Sequence, residues 1–267
     1  MKTVLFDMDG TLTEPRQKME IMMSAAIAKL QKSGFRVGIV TGSDLNYIKD
    51  QCQILFDFSP VDYTQIDFYP CNGTKHYTFL HNEIEHYSNS MRSEMGVKLY
   101  NDLIYTLCEI QGHFRYQSWA ANIPLTGNFI DCRGSMINYC PIGRNASEKE
   151  RDIWISLDKK FNIRKNILDM HFPDSGHWSD LSIKMGGETS FDITPESWNK
   201  TYVLRNFKEL DEVWFVGDRC EKDGNDKELY DAIKLRLAGD SFKTSGPSKT
   251  MEIINDRILQ YPVNSKR

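Results

Sequence analysis

The stretch VLFDMDGTLT, residues 4–13, sets two carboxylates, Asp7 and Asp9, directly behind an apolar run and follows them at once with Gly10. Thr3 to Phe6 reads as a short buried strand, because an unbroken apolar run suits a strand covered on both faces. Pro15 then suits a first helical turn, and Met19, Met22, Met23, Ala26, Ile27 and Leu30 recur at helical spacing, which predicts a core-facing stripe. Gly34 stands where a helix C-cap belongs. Phe35 to Val40 is a second apolar strand, ending in Thr41-Gly42-Ser43-Asp44, and a further helix is expected from Asp44 to about Leu55. Strand–helix–strand–helix alternation predicts a parallel sheet with helices on its faces. Sites in such sheets lie beyond the carboxyl ends of the strands, which is where Asp7, Asp9, Thr41 and Ser43 fall.

A chain of 267 residues is enough for one large domain or two modest ones. Its 33 basic and 37 acidic side chains leave a net charge of −4, which argues against nonspecific binding to nucleic acid or to an anionic membrane. A small anionic ligand remains open, since a few local arginines suffice for phosphate. The N-terminus shows no cationic segment ahead of a long apolar one, so no signal peptide is expected, and no apolar run reaches membrane-spanning length. Cys52, Cys71, Cys108, Cys132, Cys140 and Cys220 have neither metal-type nor C-x-x-C spacing, so reduced thiols in a cytoplasmic protein are expected. Sequons at Asn72, Asn145 and Asn199 carry no weight without a secretory route. The histidines at 76, 81, 86, 113, 171 and 177 fit no ligand spacing.

From about His81 the pattern changes. Val97 to Ile110 reads as a helix, and Phe129–Arg133 and Met136–Cys140 as paired strands joined by Gly134-Ser135. Ser147 and Glu150 form a capping box that opens a helix through about Phe161. Leu181–Lys184 and Phe191–Ile193 add strands, so a separate α+β unit is expected within the first domain. After Trp198 the alternation returns, with a helix to about Leu210, an apolar strand from Glu212 to Val216, and Gly217-Asp218 at its carboxyl end. Lys243–Lys249 reads as a loop. The expected division is 1–80 with 190–267 as one domain and 81–189 as the inserted one.

Residues two apart on a strand can point to one region, so Asp7 and Asp9 bring two repelling carboxylates to a strand end, and Asp218 brings a third. A partly buried oxygen-rich set of this kind calls for a cation and suits Mg2+, with substrate phosphate completing the shell. Gly10 and Thr11 permit a tight turn whose backbone N–H groups can hold phosphate oxygens. Phosphoryl transfer through an aspartyl-phosphate follows, one carboxylate attacking and the other moving protons.

LFDMDGTLT resembles the first motif of the haloacid dehalogenase-like phosphotransferases. FDMDGTLTEPRQK (6–18), CRGSMINYCPIGRNASEKER (132–151), GGETSFDITPESWNK (186–200) and VGDRCEKDGND (216–226) resemble, in order, the motifs of eukaryotic-type phosphomannomutases. That resemblance implies a Rossmann-like parallel-sheet core with an inserted α+β cap. It implies Asp7 as the phosphorylated nucleophile, Asp9 as general acid/base and Lys200 as the cation steadying the nucleophile and the transferred group. Mg2+ would be held by Asp7, by the backbone carbonyl of Asp9 and by Asp218. Arg16 would contact substrate, and Thr41 or Ser43 would bond the phosphoryl group. The cap would supply Arg133, Arg144 and Arg151, with Ser190 and Asp192 near the sugar. Arginine suits a distal phosphate because it offers paired donors, and a buried acceptor such as Asp192 can reject the wrong epimer.

The residues also allow plainer readings. Arg151 lies among Glu148, Lys149, Glu150 and Asp152, where a helix-face ion pair is the alternative; Arg133 and Arg144 flank strand turns and could be structural. Asp192 alternates with Phe191 and Ile193, which leaves open whether it faces a site or solvent. The acidic loop keeps the family's length together with Asp218, Asn225 and Asp226, but departs from its usual Gly-Asp-Lys-Thr opening. The leading expectation is a Mg2+-dependent phosphomannomutase, primed by a hexose 1,6-bisphosphate, serving GDP-mannose biosynthesis as a cytoplasmic homodimer joined through the cap. The alternatives are a sugar-phosphate phosphatase and a weakly catalytic sugar-phosphate-binding protein.

Overall fold

A computed structural model describes residues 2–57, 60–173, 176–222 and 224–260. The chain begins with β1 (Lys2–Phe6), α1 (Ile21–Lys32), β2 (Arg36–Val40), α2 (Leu45–Gln51), α3 (Ile54–Asp57), β3 (Ile66–Tyr69), β4 (Lys75–Phe79) and β5 (Glu83–Ser88). A middle stretch holds α4 (Met91–Met95), α5 (Val97–His113), β6 (Ile130–Cys132), β7 (Ile137–Tyr139), α6 (Glu148–Phe161), α7 (Ile163–His171), β8 (Leu181–Gly186) and β9 (Ser190–Pro195). β10 (Glu212–Gly217), α8 (Lys227–Lys234), β11 (Gly239–Lys243) and α9 (Pro247–Ile253) follow.

The first compact unit runs to Ser88 and resumes at Trp198, around a seven-stranded sheet ordered β11-β10-β1-β2-β3-β4-β5. The five strands from β11 to β3 are parallel, and β4 and β5 add an antiparallel edge. Val4, Leu5 and Phe6 have no exposed surface, as the two-sided burial of a central parallel strand requires. Alternation sends Val4, Phe6, Val37 and Ile39 to one face with Met23, Ile27 and Ile253. Leu5, Val40, Val213 and Phe215 go to the other face, with Leu229 and Ile233. Helices therefore cover both faces.

α1 ends in a Schellman arrangement: the N–H of Gly34 donates to Gln31 O and that of Phe35 to Leu30 O, with Gly34 at φ 84°. Met22, expected in the buried stripe, is 61% exposed, because it lies one step around the helix from Met23. The expected Asp44–Leu55 helix is broken at Cys52 into α2 and α3. The helix expected after Trp198 is a 3-10 segment, Lys200–Asn206, started by the Asn199 side chain accepting from the N–H of Thr201 at 2.9 Å. Of the expected Lys243–Lys249 loop only 244–246 is loop, since Lys243 ends β11 and Pro247 opens α9 at the position where its missing N–H costs nothing.

His76 and His86 belong to the sheet edge. His76 Nε2 meets Asp67 Oδ1 at 2.9 Å, and the imidazole stacks on Tyr69 and on His86. Burial would raise the Asp67 carboxyl, but the His76 bond and the Arg36 guanidinium outweigh it, and the group ends below its ordinary value.

The second unit is Asn89–Ser197, with a four-stranded antiparallel sheet ordered β6-β7-β9-β8. The expected boundaries of 81 and 189 thus move to 89 and 197. The reason is pairing: β5 is held by β4 in the first sheet, and β9 by β7 and β8 in the second. Ile137, Tyr139, Phe191 and Ile193 are buried on one face, and Tyr139 Oη donates to Gln111 Oε1 of α5 at 2.9 Å. The Ser147–Glu150 capping box that opens α6 is formed as expected. No helix of the described residues is long and apolar enough to cross a membrane.

Candidate active site

Asp7 is the first residue past β1, and its N–H continues the sheet by donating to Val216 O of β10 at 2.9 Å. The backbone then turns sharply. Met8 O accepts from the N–H groups of Thr11, Leu12 and Thr13, and the Gly10 N–H donates to Thr13 O at 2.7 Å. Gly10 sits at φ 80°, and a Cβ there would strike the carboxylate of Asp218, so only glycine lets the two strand ends approach. Asp7 is 5% exposed, and Thr11 Oγ1 lies 3.4 Å from its Oδ2.

Lys200 is wholly buried, and its ammonium donates to Asp7 Oδ1 and, at 2.6 Å, to Asp226 Oδ1. Asp226 has no exposed surface, and its Oδ2 accepts the Arg219 N–H at 3.0 Å, which pins the acidic loop around it. Asp7, Asp218 and Asp226 each bring an oxygen within 4.8 Å of the others. Burial pushes the Asp7 carboxyl up to about 7; Lys200 pulls it down, and Asp226 and Asp218 add to the rise. Burial also raises Asp218, with Asp226 adding to it. Burial would discharge Lys200, but Asp226 and Asp7 override it and hold the ammonium charged.

One ammonium faces three clustered carboxylates, so the site has spare negative charge and hard oxygen donors. Those features fit a divalent cation such as Mg2+, which would relieve the repulsion that raises Asp7 and Asp218.

Asp9 is arranged differently from its neighbour. Its Oδ1 accepts the Arg16 N–H at 3.0 Å and the Tyr47 hydroxyl at 3.0 Å. The acid that joins Asp7 and Asp218 is therefore Asp226, while the Asp9 side chain is held by Arg16 and Tyr47. Burial, and then Asp9, push the Tyr47 phenol above its ordinary value. Thr41 is buried at the end of β2, and its Oγ1 accepts the Ser43 N–H at 3.2 Å; the structure brings both into one turn.

In the second unit, register builds a polar row across the sheet: Asp131 pairs with Asn138, Asn138 with Asp192, and Asp192 with Lys184. Residues directly opposite share a face, so Asp192 faces away from the buried side of its strand and toward this row. Asn138 is the hub. Its Nδ2 donates to Ser190 Oγ at 3.1 Å and to Asp192 Oδ1 at 2.7 Å, and its Oδ1 accepts from Arg144 at 3.2 Å. Arg133 pairs with Asp131 at 2.9 Å. Partial burial, followed by the repulsion of Arg133, lowers Arg144. Four of the expected substrate residues, Arg133, Arg144, Ser190 and Asp192, thus gather on one face. Arg151 lies half buried on α6, where its N–H donates to Ser147 O at 3.0 Å, and its side chain makes no hydrogen bond or ion pair among the described residues.

Asp226, Asn138 and Tyr47 went unassigned in the sequence reading. Asp226 stands in a quoted motif, yet nothing local marks it as the second carboxylate on Lys200. Asn138 alternates with buried Ile137 and Tyr139, which was a usable signal for its face but not for its partners. Tyr47 offers no signal at all, since its contact with Asp9 spans 38 positions.

The architecture is shared with solved structures of low sequence identity. A truncated IMP-nucleotidase of Plasmodium falciparum superposes with a TM-score of 0.57 at 15% identity, covering 98% of this chain and 70% of that one. A trehalose-6-phosphate phosphatase related protein gives a TM-score of 0.51 at 16% identity, covering 95% and 96%. These likenesses define the fold class.

Sequence relatives narrow it. The family described as eukaryotic phosphomannomutase matches residues 23–260. A phosphomannomutase of Glycine max is 36% identical over 231 residues, covering 85% of this chain and 86% of that protein. One of Nicotiana benthamiana is 34% identical over 264 residues, covering 96% and 93%. The chain belongs to the eukaryotic phosphomannomutase family.

Proposed function

We propose that the protein interconverts mannose 6-phosphate and mannose 1-phosphate through a phosphorylated Asp7. The observation that carries this reading is the buried Asp7 carboxylate, tied to a buried lysine and clustered with two further acids at the end of a central strand. An Asp7 oxygen attacks the phosphorus of a hexose 1,6-bisphosphate, the bond from phosphorus to the sugar oxygen breaks, and that oxygen takes a proton from Asp9. In the second half a sugar hydroxyl gives its proton to Asp9 and attacks the aspartyl-phosphate, which frees Asp7. Lys200 favours the anionic form of Asp7 before attack and neutralises the phosphoryl group afterwards. Mg2+, held by Asp7, Asp218 and the Asp9 carbonyl, would supply further neutralisation of the phosphoryl oxygens.

Thr41 and Ser43 offer hydroxyls to the transferred group, and Arg16 offers a cation for substrate. Arg133, Arg144 and Arg151 take the phosphate that is not reacting, while Ser190 and Asp192 bond the sugar hydroxyls. A cytoplasmic location and a homodimer through the inserted unit are proposed with it.

The test is incubation with Mg2+ and mannose 1-phosphate, with and without catalytic hexose bisphosphate. Mannose 6-phosphate that forms only with the activator supports the mutase. Release of free phosphate instead makes the protein a phosphatase, and binding without turnover makes it a sugar-phosphate-binding protein. Asp7→Asn should abolish turnover, and normal turnover in that variant would remove Asp7 as nucleophile.

A further inference from the structure

The two acids of the first loop have opposite kinds of partner. Asp7 is met by an ammonium, and Asp9 by a neutral phenol and a backbone amide. An ammonium favours a carboxylate that must stay charged, as a nucleophile must. A group that gives and takes a proton each cycle needs a partner that suits both of its forms. A phenol does this: with the proton on Oδ2, Oδ1 is a carbonyl oxygen and still accepts from Tyr47. Among the described residues Oδ2 has no donor, so one oxygen of Asp9 is held and the other is left for the reaction.

The fold builds this arrangement from three segments. Asp44 caps α2, its Oδ1 accepting the Tyr47 N–H at 2.8 Å, which fixes Tyr47 in the first turn of the helix. From there the phenol reaches back to the loop after β1. The second donor comes from Arg16, a non-glycine residue at φ 62°, a conformation that surrounding structure must hold in place.

We propose that Tyr47 is a positioning residue for proton transfer: it fixes the Asp9 carboxyl so that Oδ2 addresses the sugar oxygen that leaves or attacks. The proposal rests on Asp9 acting as the general acid/base. Its consequence depends on the leaving group, because a sugar alkoxide needs a proton to depart and an aryl oxide does not.

The test is Tyr47→Phe in the full-length protein, which removes one oxygen and keeps the ring. Single-turnover phosphorylation of Asp7 is followed with two donors, hexose 1,6-bisphosphate and p-nitrophenyl phosphate, beside steady-state kcat and KM for mannose 1-phosphate. The expected result is a loss of about 5- to 30-fold in kcat and in transfer from the hexose bisphosphate, with KM within about twofold and a far smaller loss from the aryl phosphate. Equal losses from both donors would show a merely structural tyrosine and overturn the proposal, as would wild-type rates with both. Asp9→Asn is run alongside. If it transfers from the hexose bisphosphate at the wild-type rate, the acid/base reading itself is wrong, whatever Tyr47 does.

Discussion

Lys200 shows how far one side chain can matter in this molecule. It is wholly buried between Asp7 and Asp226, so its charge balances two buried carboxylates and the fold depends on it. Lys200→Met keeps much of the volume but strands two buried carboxylates. It should destabilise the fold by about 3–5 kcal/mol, read from urea denaturation, as well as abolish turnover. A variant that is inactive yet unfolds like the wild type would mean that Lys200 contributes chemistry alone. Asp7 and Asp9 were legible as acids delivered to a strand end because their spacing and the glycine behind them are local facts. Asp226 was not, because what defines it is Lys200, 26 positions away.

Strands were more readable than what joins them. β1, β2 and β10 follow from apolar runs, while the 3-10 segment Lys200–Asn206 was read as a longer helix, since periodicity alone does not distinguish a short tight helix from an ordinary one. In the inserted unit, period-2 alternation announced β7 and β9 but left the use of their outer face open. Register aligns Asp131, Asn138, Asp192 and Lys184 on that face across four strands. Asn138→Ala would remove the bridge among Arg144, Ser190 and Asp192. The expected outcome is a rise in KM for the hexose phosphate of about 5- to 30-fold, with kcat for a small aryl phosphate little changed. An unchanged KM would show that the row serves only to hold the sheet together.

The cluster of Asp7, Asp218 and Asp226 predicts how the first unit as a whole responds to metal. Mg2+ that binds the acid cluster only in the folded state must stabilise that state, by about 2.7 kcal/mol at a hundredfold excess over its Kd, or several degrees in Tm. Asp218→Asn should lose most of that shift, and an equal shift in wild type and variant would place the metal elsewhere. The sequence by itself determined the α/β class, the inserted second sheet, the family, and the positions at which strands deliver acids to a site. These are local properties: alternation, apolar runs and turn residues repeat along the chain whatever lies across from them. The family resemblance already implied Lys200 beside Asp7; only the tertiary structure decided the partners of the other acids. Asp226 shares that lysine, and Asp9 meets a tyrosine 38 positions away. Those pairings depend on which strand lies beside which and on where each loop can reach, and no spacing along the chain encodes that.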